Sequence, residues 1–569
     1  MEEQLFNLGE EGKLYTDVPP EKMKSLREQM LKYTPRSEQT DMVNVTVKAF
    51  KEGKKFMLME GPVGIGKSYY AVMFMAEYLK NHPRAKFDVL TSTKILQSQY
   101  ADDFEFINNL WGAANYTCDQ YECTCELGQE FANLAKTKCG DCPYDAAKEA
   151  FFKGTVSLTN YHMFVLYAMF AGPKLEERGA DVLIVDEAHE FDNVVSDFVS
   201  AKLNKYMLKK LDFEEKVVKQ YEDLFKNVKT IESYIDMLKS TFVPDLQAHR
   251  KNLVLKEKSY GDKKKWLTMM KAVDNNISKF ELFLKEYEED PSNWIFEVDD
   301  NKYSKGDRKG MLDLSIQPIW AKDYLEQYIW SRYKHVILMS GTVLDKKLFS
   351  FLNGLEEERT SYMSLDSPFP KQNRKIYYMP VAKMSYDNKR KAFDSFVPWI
   401  HKIVKKNADN KGIIHTVSFE LATWIREELE KDKSPEGVKL RQRFLFHDST
   451  TRDIVLRQHT ASKEPTILVS PSMFTGVDLK DDLSRFQIIL KIPYPNLGAA
   501  KIKKRKDIYP AWYGWRTVAD IVQSYGRSVR NMEDWAETYI LDASFGNLMN
   551  YNGTFMPKYM KEAIVTIKV

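Results

Sequence analysis

Apolar and polar positions fall into short, repeated blocks along this chain. KKFMLME, ending at Glu60, is an apolar run of strand length. SYYAVMFMAEYLK, beginning at Ser68, reads as a helix. Val182 to Val185 form a second apolar run, which reads as a buried parallel strand closed by two acids, Asp186 and Glu187. GIIHTVSFELA, from Gly412 to Ala422, reads as a strand entering a helix. Across 201–290 the pattern changes. KLNKYMLKKLDFEEKVVKQYEDLFKNVKTIESYIDMLKS is charged and helically periodic, as expected of amphipathic helices with polar outer faces. Strands alternating with helices predict an α/β fold with parallel sheets. No apolar run reaches the roughly 18 residues that span a bilayer.

A chain of 569 residues is too long for one core, and three or four domains are expected. The hydrophobic fraction of 43% can build large cores and excludes a disordered protein. Net charge is only +3, which neither demands nor forbids nucleic acid, because a basic groove can hide within a balanced total. The start, MEEQLFNLGEEG, is acidic and lacks the apolar core of a secretory signal. An intracellular setting, cytoplasmic or nuclear, is therefore expected, and disulfides are rare there.

GPVGIGKS, from Gly61 to Ser68, fits G-x-x-x-x-G-K-[ST] in full and sits between the predicted strand and helix. Gly61, Gly64 and Gly66 let backbone N–H groups face phosphates at a helix N-terminus. Lys67 is expected to reach the β- and γ-phosphates, and Ser68 to hold Mg²⁺. Ligands of parallel sheets collect at the carboxyl ends of strands, which places Asp186 near the same cation. Glu187 is then the group to orient and deprotonate an attacking water. ATP is the expected substrate.

All five cysteines fall in one window, Cys118, Cys123, Cys125, Cys139 and Cys142. Zinc and iron–sulfur clusters both accept four thiolates, and composition does not choose between them.

In combination these motifs resemble a superfamily-two helicase. LTSTKILQSQY (Leu90 to Tyr100) resembles the strand and Thr-rich turn that grips a DNA backbone, with Thr91 and Thr93 as candidate contacts. HVILMSGTVL resembles the Ser-Ala-Thr motif, with Gly341 in place of alanine; Ser340 and Thr342, with His189 of the DEAH run, are the candidate coupling residues. TILVSPSMFTGVDLK resembles the fifth motif and supplies Asp478. QSYGRSVR (Gln523 to Arg530) matches Q-x-x-G-R-x-x-R. Arg527 and Arg530, three apart, share a helix face and suit arginine fingers, worth about 10³–10⁵ in rate.

NYTC and CPYDAAKEAFFKGTVSLTNYHMF narrow the resemblance to the XPD/DinG family of helicases. That resemblance implies a 4Fe–4S cluster on Cys118, Cys139, Cys142 and either Cys125 or Cys123, with Cys125 preferred. It also implies two RecA-like motor lobes, with an iron–sulfur domain and a helical arch domain inserted in the first. The divisions expected are 1–110, 149–204 and 301–368 for the first lobe, 111–148 for the cluster domain, 205–300 for the arch and 369–569 for the second lobe. Alternatively the helices form a bundle with no ligand role. PRSEQTDMV resembles the family's start, with Arg36 and Gln39 near the nucleotide base. The stretch ahead of the phosphate loop is too short for the N-terminal exonuclease that some DinG proteins carry, so none is expected.

KIKKRK, with Lys501, Lys503, Lys504 and Arg505, lies near Tyr509, Trp512, Tyr513 and Trp515. Such a group suits phosphate contact and base stacking, or equally an aromatic core with a solvated basic loop. The family reading implies an ATP-dependent, 5′-to-3′ DNA helicase acting on single-stranded and forked DNA in repair, replication or recombination, as a monomer. The other reading is a nucleic-acid-stimulated ATPase that does not unwind and carries structural zinc. RNA stays open as a substrate.

Overall fold

The computed structural model describes residues 26–31, 35–62, 64–257, 262–301, 310–385, 387–473, 479, 481–526, 529 and 532–569. Two parallel seven-stranded sheets carry the fold. The first runs in the order Thr360–Ser364, Phe56–Glu60, His335–Ser340, Val182–Asp186, Phe87–Thr91, Val156–Asn160 and Asn108–Leu110. Every neighbouring pair in it is parallel. The second runs Phe444–Phe446, Ile467–Ser470, Gly412–His415, Phe486–Ile489, Glu537–Asp542, Ile376–Ala382 and Ile564–Thr566, also parallel throughout.

The apolar runs become strands because helices cover both of their faces. Alternate side chains divide between two cores. Phe56, Leu58, Leu183, Val185 and Leu338 enter one, while Met57, Met59, Val182, Ile184 and Met339 enter the other. Helices Ser37–Lys51 and Lys67–Asn81 close the second of these cores with Met42, Tyr70, Phe74 and Met75.

The insert after the DEAH run is helical as expected, from Lys205–Lys210 to the long helix Lys263–Glu289. It is also rooted on something the sequence reading omitted. Strands Ala201–Asn204, Asp313–Pro318 and Trp294–Asp299 form an antiparallel sheet with Asp313–Pro318 in the centre. They are short and lie on both flanks of the helices, so local pattern alone gave no hint of their pairing.

The cysteine window forms a small hairpin, Thr117–Cys118 against Cys123–Thr124, followed by helices Cys125–Leu134 and Pro143–Lys153. Lys271 of the long insert helix reaches Glu126 at 3.1 Å and Glu130 at 3.9 Å on the first of these. No described helix is long and apolar enough to cross a membrane.

Candidate active site at the junction of the two sheets

Strand order brings three motifs together. His335–Ser340 is flanked by Phe56–Glu60 on one side and Val182–Asp186 on the other. The register aligns Glu60 with Ser340 and Met339 with Asp186, so three turns leave the same edge of the sheet side by side. Gly61 N–H donates to Ser340 O at 3.0 Å and ties the first turn to the third.

The phosphate loop curls through Gly64 (φ 85°) and Gly66 (φ 83°), a backbone region that glycine enters without strain. A Cβ on Gly66 would also lie 2.2 Å from Gln39 Nε2. That amide donates to the carbonyls of Ile65 and Gly66 at 3.3 and 3.2 Å, and Arg36 Nη1 donates to Gly64 O at 3.2 Å. Arg36 and Gln39 thus brace the loop's backbone. Lys67 opens the following helix and is buried, with Nζ donating to Gly61 O at 3.3 Å and lying 3.8 Å from Glu187 Oε1. Ser68 is half-buried beside it.

Asp186 sits at the end of its strand, 6% exposed. Its Oδ2 accepts from Tyr100 OH at 3.1 Å and its Oδ1 from Glu187 N–H at 3.0 Å, while Tyr161 OH donates to its backbone carbonyl. Burial pushes its carboxyl up to about 6, with Glu187 adding to the rise and Lys67 and Tyr100 opposing it. A divalent cation would reverse that penalty by supplying the missing positive charge. Glu187 has φ 59°, left-handed for a non-glycine, which turns its side chain back towards Lys67.

From Glu187 a polar path crosses to the second sheet. Glu187 Oε2 lies 3.4 Å from His189 Nδ1, and His189 Nδ1 is 2.9 Å from Ser340 Oγ. Ser340 Oγ accepts from Thr342 N–H at 2.9 Å, and Thr342 Oγ1 accepts from Gln523 Nε2 at 3.1 Å. Gln523 belongs to helix Pro510–Tyr525, which packs on the second sheet. Trp515 of that helix donates to Val343 O at 2.9 Å. The phosphate loop, the acidic pair and Gln523, the first residue of the matched segment, therefore meet at one junction.

Comparison with known proteins agrees with this arrangement. Residues 400–563 match the model of the helicase C-terminal domain, and 32–213 match that of the type III restriction enzyme res subunit. A DinG ATP-dependent DNA helicase of Photobacterium profundum is 22% identical over 70% of this chain and 67% of its own length. The Escherichia coli (strain K12) helicase YoaA is 21% identical over 92% and 93%. The DinG of the same Escherichia coli strain is 25% identical over 42% of this chain, a match spanning only 35% of that protein. A solved XPD helicase superposes with a TM-score of 0.61 at 14% identity, covering 94% of this chain and all of that one, a likeness of fold. The chain is similar to the DinG helicases in sequence and to XPD in fold.

In this XPD/DinG-like chain the cysteines converge in part. Cys118, Cys125 and Cys142 are buried, and Cys118 Sγ lies 3.4 Å from Cys139 Sγ. Cys125 and Cys142 share a hydrogen bond. Burial first, then these neighbouring thiols, pushes Cys125 up to about 11 and Cys139 up to about 12. Cys123 pairs with Cys118 across the hairpin, and its thiol donates to Thr124 O at 3.4 Å. A Cβ on Gly128 would come within 2.5 Å of Cys118 Sγ, so glycine leaves the room this thiol occupies. The donor set fits a soft metal centre in kind. The thiols are nonetheless set as apposed pairs, and among the described residues no group of three or more such side chains has the spacing to hold a metal ion.

Three of the expected DNA contacts are buried against protein. Lys501 and Arg505 lie on a helix, Ala500–Ile508, and face protein. Lys501 Nζ donates to Ser196 Oγ, and its amine is pushed down to about 7 by burial and then by Arg505. Arg505 donates to Ile319 O at 2.6 Å and lies over the rings of Trp320 and Trp512. The helical period that buries these two leaves Lys503 and Lys504 exposed. Thr91 is fully buried, its hydroxyl donating to Thr93 O at 3.3 Å, and Thr93 caps the next helix through Leu96 N–H. Asp478, Arg527 and Arg530 lie outside the described residues. Sequence reasoning missed Tyr161 and Glu60; Glu60 accepts from Leu344 N–H at 2.8 Å and from Tyr362, bracing the turn after Thr342. It also gave no role to Tyr100, the last residue of a stretch it had singled out.

Proposed function

We propose that this chain is an ATP-dependent DNA helicase that moves on single-stranded DNA, 5′ to 3′, and separates duplex strands in repair, replication or recombination. The observation that carries the reading is the polar path Glu187–His189–Ser340–Thr342–Gln523. It links the residue suited to activate water with the lobe that must move, as a motor requires. Lys67 binds the β- and γ-phosphates, Ser68 and Asp186 hold Mg²⁺, and Glu187 takes a proton from the attacking water. Arg527 and Arg530 offset charge on the transferring phosphoryl group from the second lobe, where Asp478 also contributes. Arg36 and Gln39 hold the loop against the nucleotide. Thr93, Lys503 and Lys504 remain the candidate DNA contacts. The relatives named as DNA helicases support DNA over RNA.

A 4Fe–4S cluster held by Cys118, Cys125, Cys139 and Cys142 completes the proposal, with Cys123 spare because its thiol is taken by Thr124 O. The cluster supplies cross-linking of a small domain that has little core of its own. With the helical insert as an arch, that domain forms the gap through which one strand passes; the Lys271 pairs to Glu126 and Glu130 support this closure. One observation favours the second reading, structural zinc in an ATPase that remodels without unwinding. The 3.4 Å between Cys118 and Cys139 is near the roughly 3.8 Å edge that Zn–S bonds of about 2.3 Å give a tetrahedron. Unwinding of forked, 5′-tailed and 3′-tailed duplexes with ATP, alongside iron, sulfide and zinc analysis, decides. Brown protein that opens forked and 5′-tailed duplexes is expected. Colourless zinc protein that hydrolyses ATP without opening any of them overturns the proposal.

A further inference from the structure

One residue at the junction holds a backbone conformation that its type resists. Leu344, two places after Thr342, has φ 59° and is not glycine. The Val343 carbonyl accepts from Asp345 N–H at 2.6 Å, so Leu344 is the centre of a three-residue turn, the rare and strained form when φ is positive. Such outliers persist only where the surroundings over-determine them, and they gather at functional sites.

Glu60 supplies the hold. Its Oε1 accepts from Leu344 N–H at 2.8 Å, and Tyr362 OH donates to its Oε2. Burial raises this carboxyl, and the same two bonds favour its charged form. Downstream, Asp345 Oδ1 caps the next helix through Leu348 N–H at 2.7 Å. The turn is thus pinned at both ends, and three consecutive residues of it meet the second lobe. Thr342 Oγ1 accepts from Gln523 at 3.1 Å, and Val343 O accepts from Trp515 at 2.9 Å. The half-buried side chain of Leu344 packs on the second-lobe core that contains Val518, Val522 and Phe545. It packs as well on the core that holds Val343 and Trp515, so it stands between the two. Glu60 directly precedes Gly61, whose N–H and carbonyl serve Ser340 and Lys67. The residue that holds the leucine is therefore also the root of the phosphate loop. Beside these contacts a cavity, lined by Pro62 and Gly341 on one side and by Gln523, Tyr525 and Gly526 on the other, leaves the lobes room to close.

We propose that Leu344 is a positioning residue for ATP turnover, a wedge that Glu60 holds in its left-handed form so that helix Pro510–Tyr525 seats with Gln523 on Thr342. This rests on the proposed function, since the step it serves is hydrolysis coupled to lobe closure. Leu344 is not among the groups assigned to ATP, so it governs the rate of the bound complex and not the affinity for nucleotide. Methionine fills a similar volume with a flexible chain and keeps the contact. Alanine withdraws it. At position 60, glutamine keeps both bonds, its oxygen accepting from Leu344 N–H and its amide donating to Tyr362 OH, whereas alanine releases the turn.

The test uses the full chain as Leu344→Met, Leu344→Ala, Glu60→Gln and Glu60→Ala. Met549→Ala is the control, because Met549 packs on the same second-lobe core from helix Ser544–Asn552. In ATP hydrolysis at saturating oligo(dT), kcat should fall about tenfold in Leu344→Ala with KM within about twofold, and Leu344→Met should stay within about twofold in both. Met549→Ala should melt lower yet keep its kcat. Exchange at the Leu344 amide should speed up about tenfold in Glu60→Ala and return near wild type in Glu60→Gln, in line with loss of one buried hydrogen bond. The kcat of the two Glu60 variants should follow the same order, which keeps the test open if Leu344→Ala does not fold. Unchanged kcat in a folded Leu344→Ala overturns the proposal. So does a loss in Met549→Ala as deep as in Leu344→Ala, which reduces the leucine to core packing, or a loss carried by KM alone. Those results leave hydrolysis by the wild type standing. A wild-type chain that hydrolyses no ATP refutes the proposed function itself, and the turnover role falls with it.

Discussion

Replacing Asp186 with asparagine should make the nucleotide-free protein more stable while disabling it. Burial lifts this carboxyl from an ordinary 3.8 to about 6. The raised value means that the ionised form is disfavoured in the fold. Below pH 3.8 the group is protonated in both folded and unfolded chains and costs nothing. The cost appears as pH rises through the window from 3.8 to about 6 and is complete above it. A shift of about two units corresponds to roughly 3 kcal/mol. Asparagine keeps both local hydrogen bonds, since its oxygen can accept from Glu187 N–H and its amide can donate to the Tyr100 hydroxyl. At about 2–4 °C per kcal/mol for a domain of this kind, Asp186→Asn should raise the first lobe's melting temperature by about 6–12 °C at pH 7.5. Near pH 4.5 the gain should shrink to about 1 kcal/mol. Thermal denaturation across pH without nucleotide measures this. Mg²⁺ and ATP should then stabilise wild type and leave the variant nearly unmoved. A variant no more stable at pH 7.5, or equally favoured at both pH values, would refute the reasoning.

Lys67→Ala and Glu187→Gln should each abolish hydrolysis with the fold intact; turnover near wild type in either would displace the chemistry from this junction. Gly128→Ala should crowd Cys118, whose Sγ would lie 2.5 Å from the new methyl, and cost about 1–3 kcal/mol by overpacking. Its iron or zinc content should fall, and full metal occupancy would count against the assigned thiol set. Gly341→Ala should be tolerated, because the added Cβ meets Gly61 O at 3.5 Å and Gln523 Nε2 at 3.8 Å, ordinary contacts; an ATPase loss beyond about twofold would show that the junction has no room for the family's alanine. Arg505→Ala should destabilise the protein by roughly 3–5 kcal/mol, as expected when one side of a buried charge cluster is removed. Lys503→Glu with Lys504→Glu should instead weaken DNA binding at unchanged melting temperature, and the reverse pattern would restore Arg505 as a DNA contact.

The motifs were legible because each sits where a parallel strand ends, and a run such as VLIVD announces both the strand and its end. GPVGIGKS specified its own loop, since Gly64 and Gly66 take backbone angles that other residues resist. Partners distant in sequence were not legible. Nothing local tells that Tyr161 will donate to Asp186, or that Glu60 will brace Leu344. KIKKRK left two readings open for a physical reason. A basic run on a helix presents two faces, and here Trp320 and Trp512 offer the inner face enough aromatic surface to hold Arg505. The antiparallel sheet beneath the insert escaped notice because its first strand, Ala201–Asn204, is separated from the other two by the whole helical segment.

The two lobes are fastened at more than one place, and several of the fastenings return to the DEAH turn or the helix that follows it. Gln523 reaches Thr342, which shares the Ser340 hydroxyl with His189. Lys501 reaches Ser196 on helix Phe191–Val199, which begins directly after Glu190. Arg505 Nη2 lies 3.8 Å from Asp192 on the same helix. Any shift of the Glu187–His189 turn on hydrolysis therefore acts on the second lobe by two routes, one through the hydroxyl relay and one through a rigid helix. Arg505 packs on two indole rings and donates to Ile319 O, so the second route transmits displacement instead of absorbing it. The relay, made of hydroxyls that can rotate, can change partners without moving backbone. A motor needs both properties: a switch that reads the phosphate state and a stiff contact against which the lobes turn.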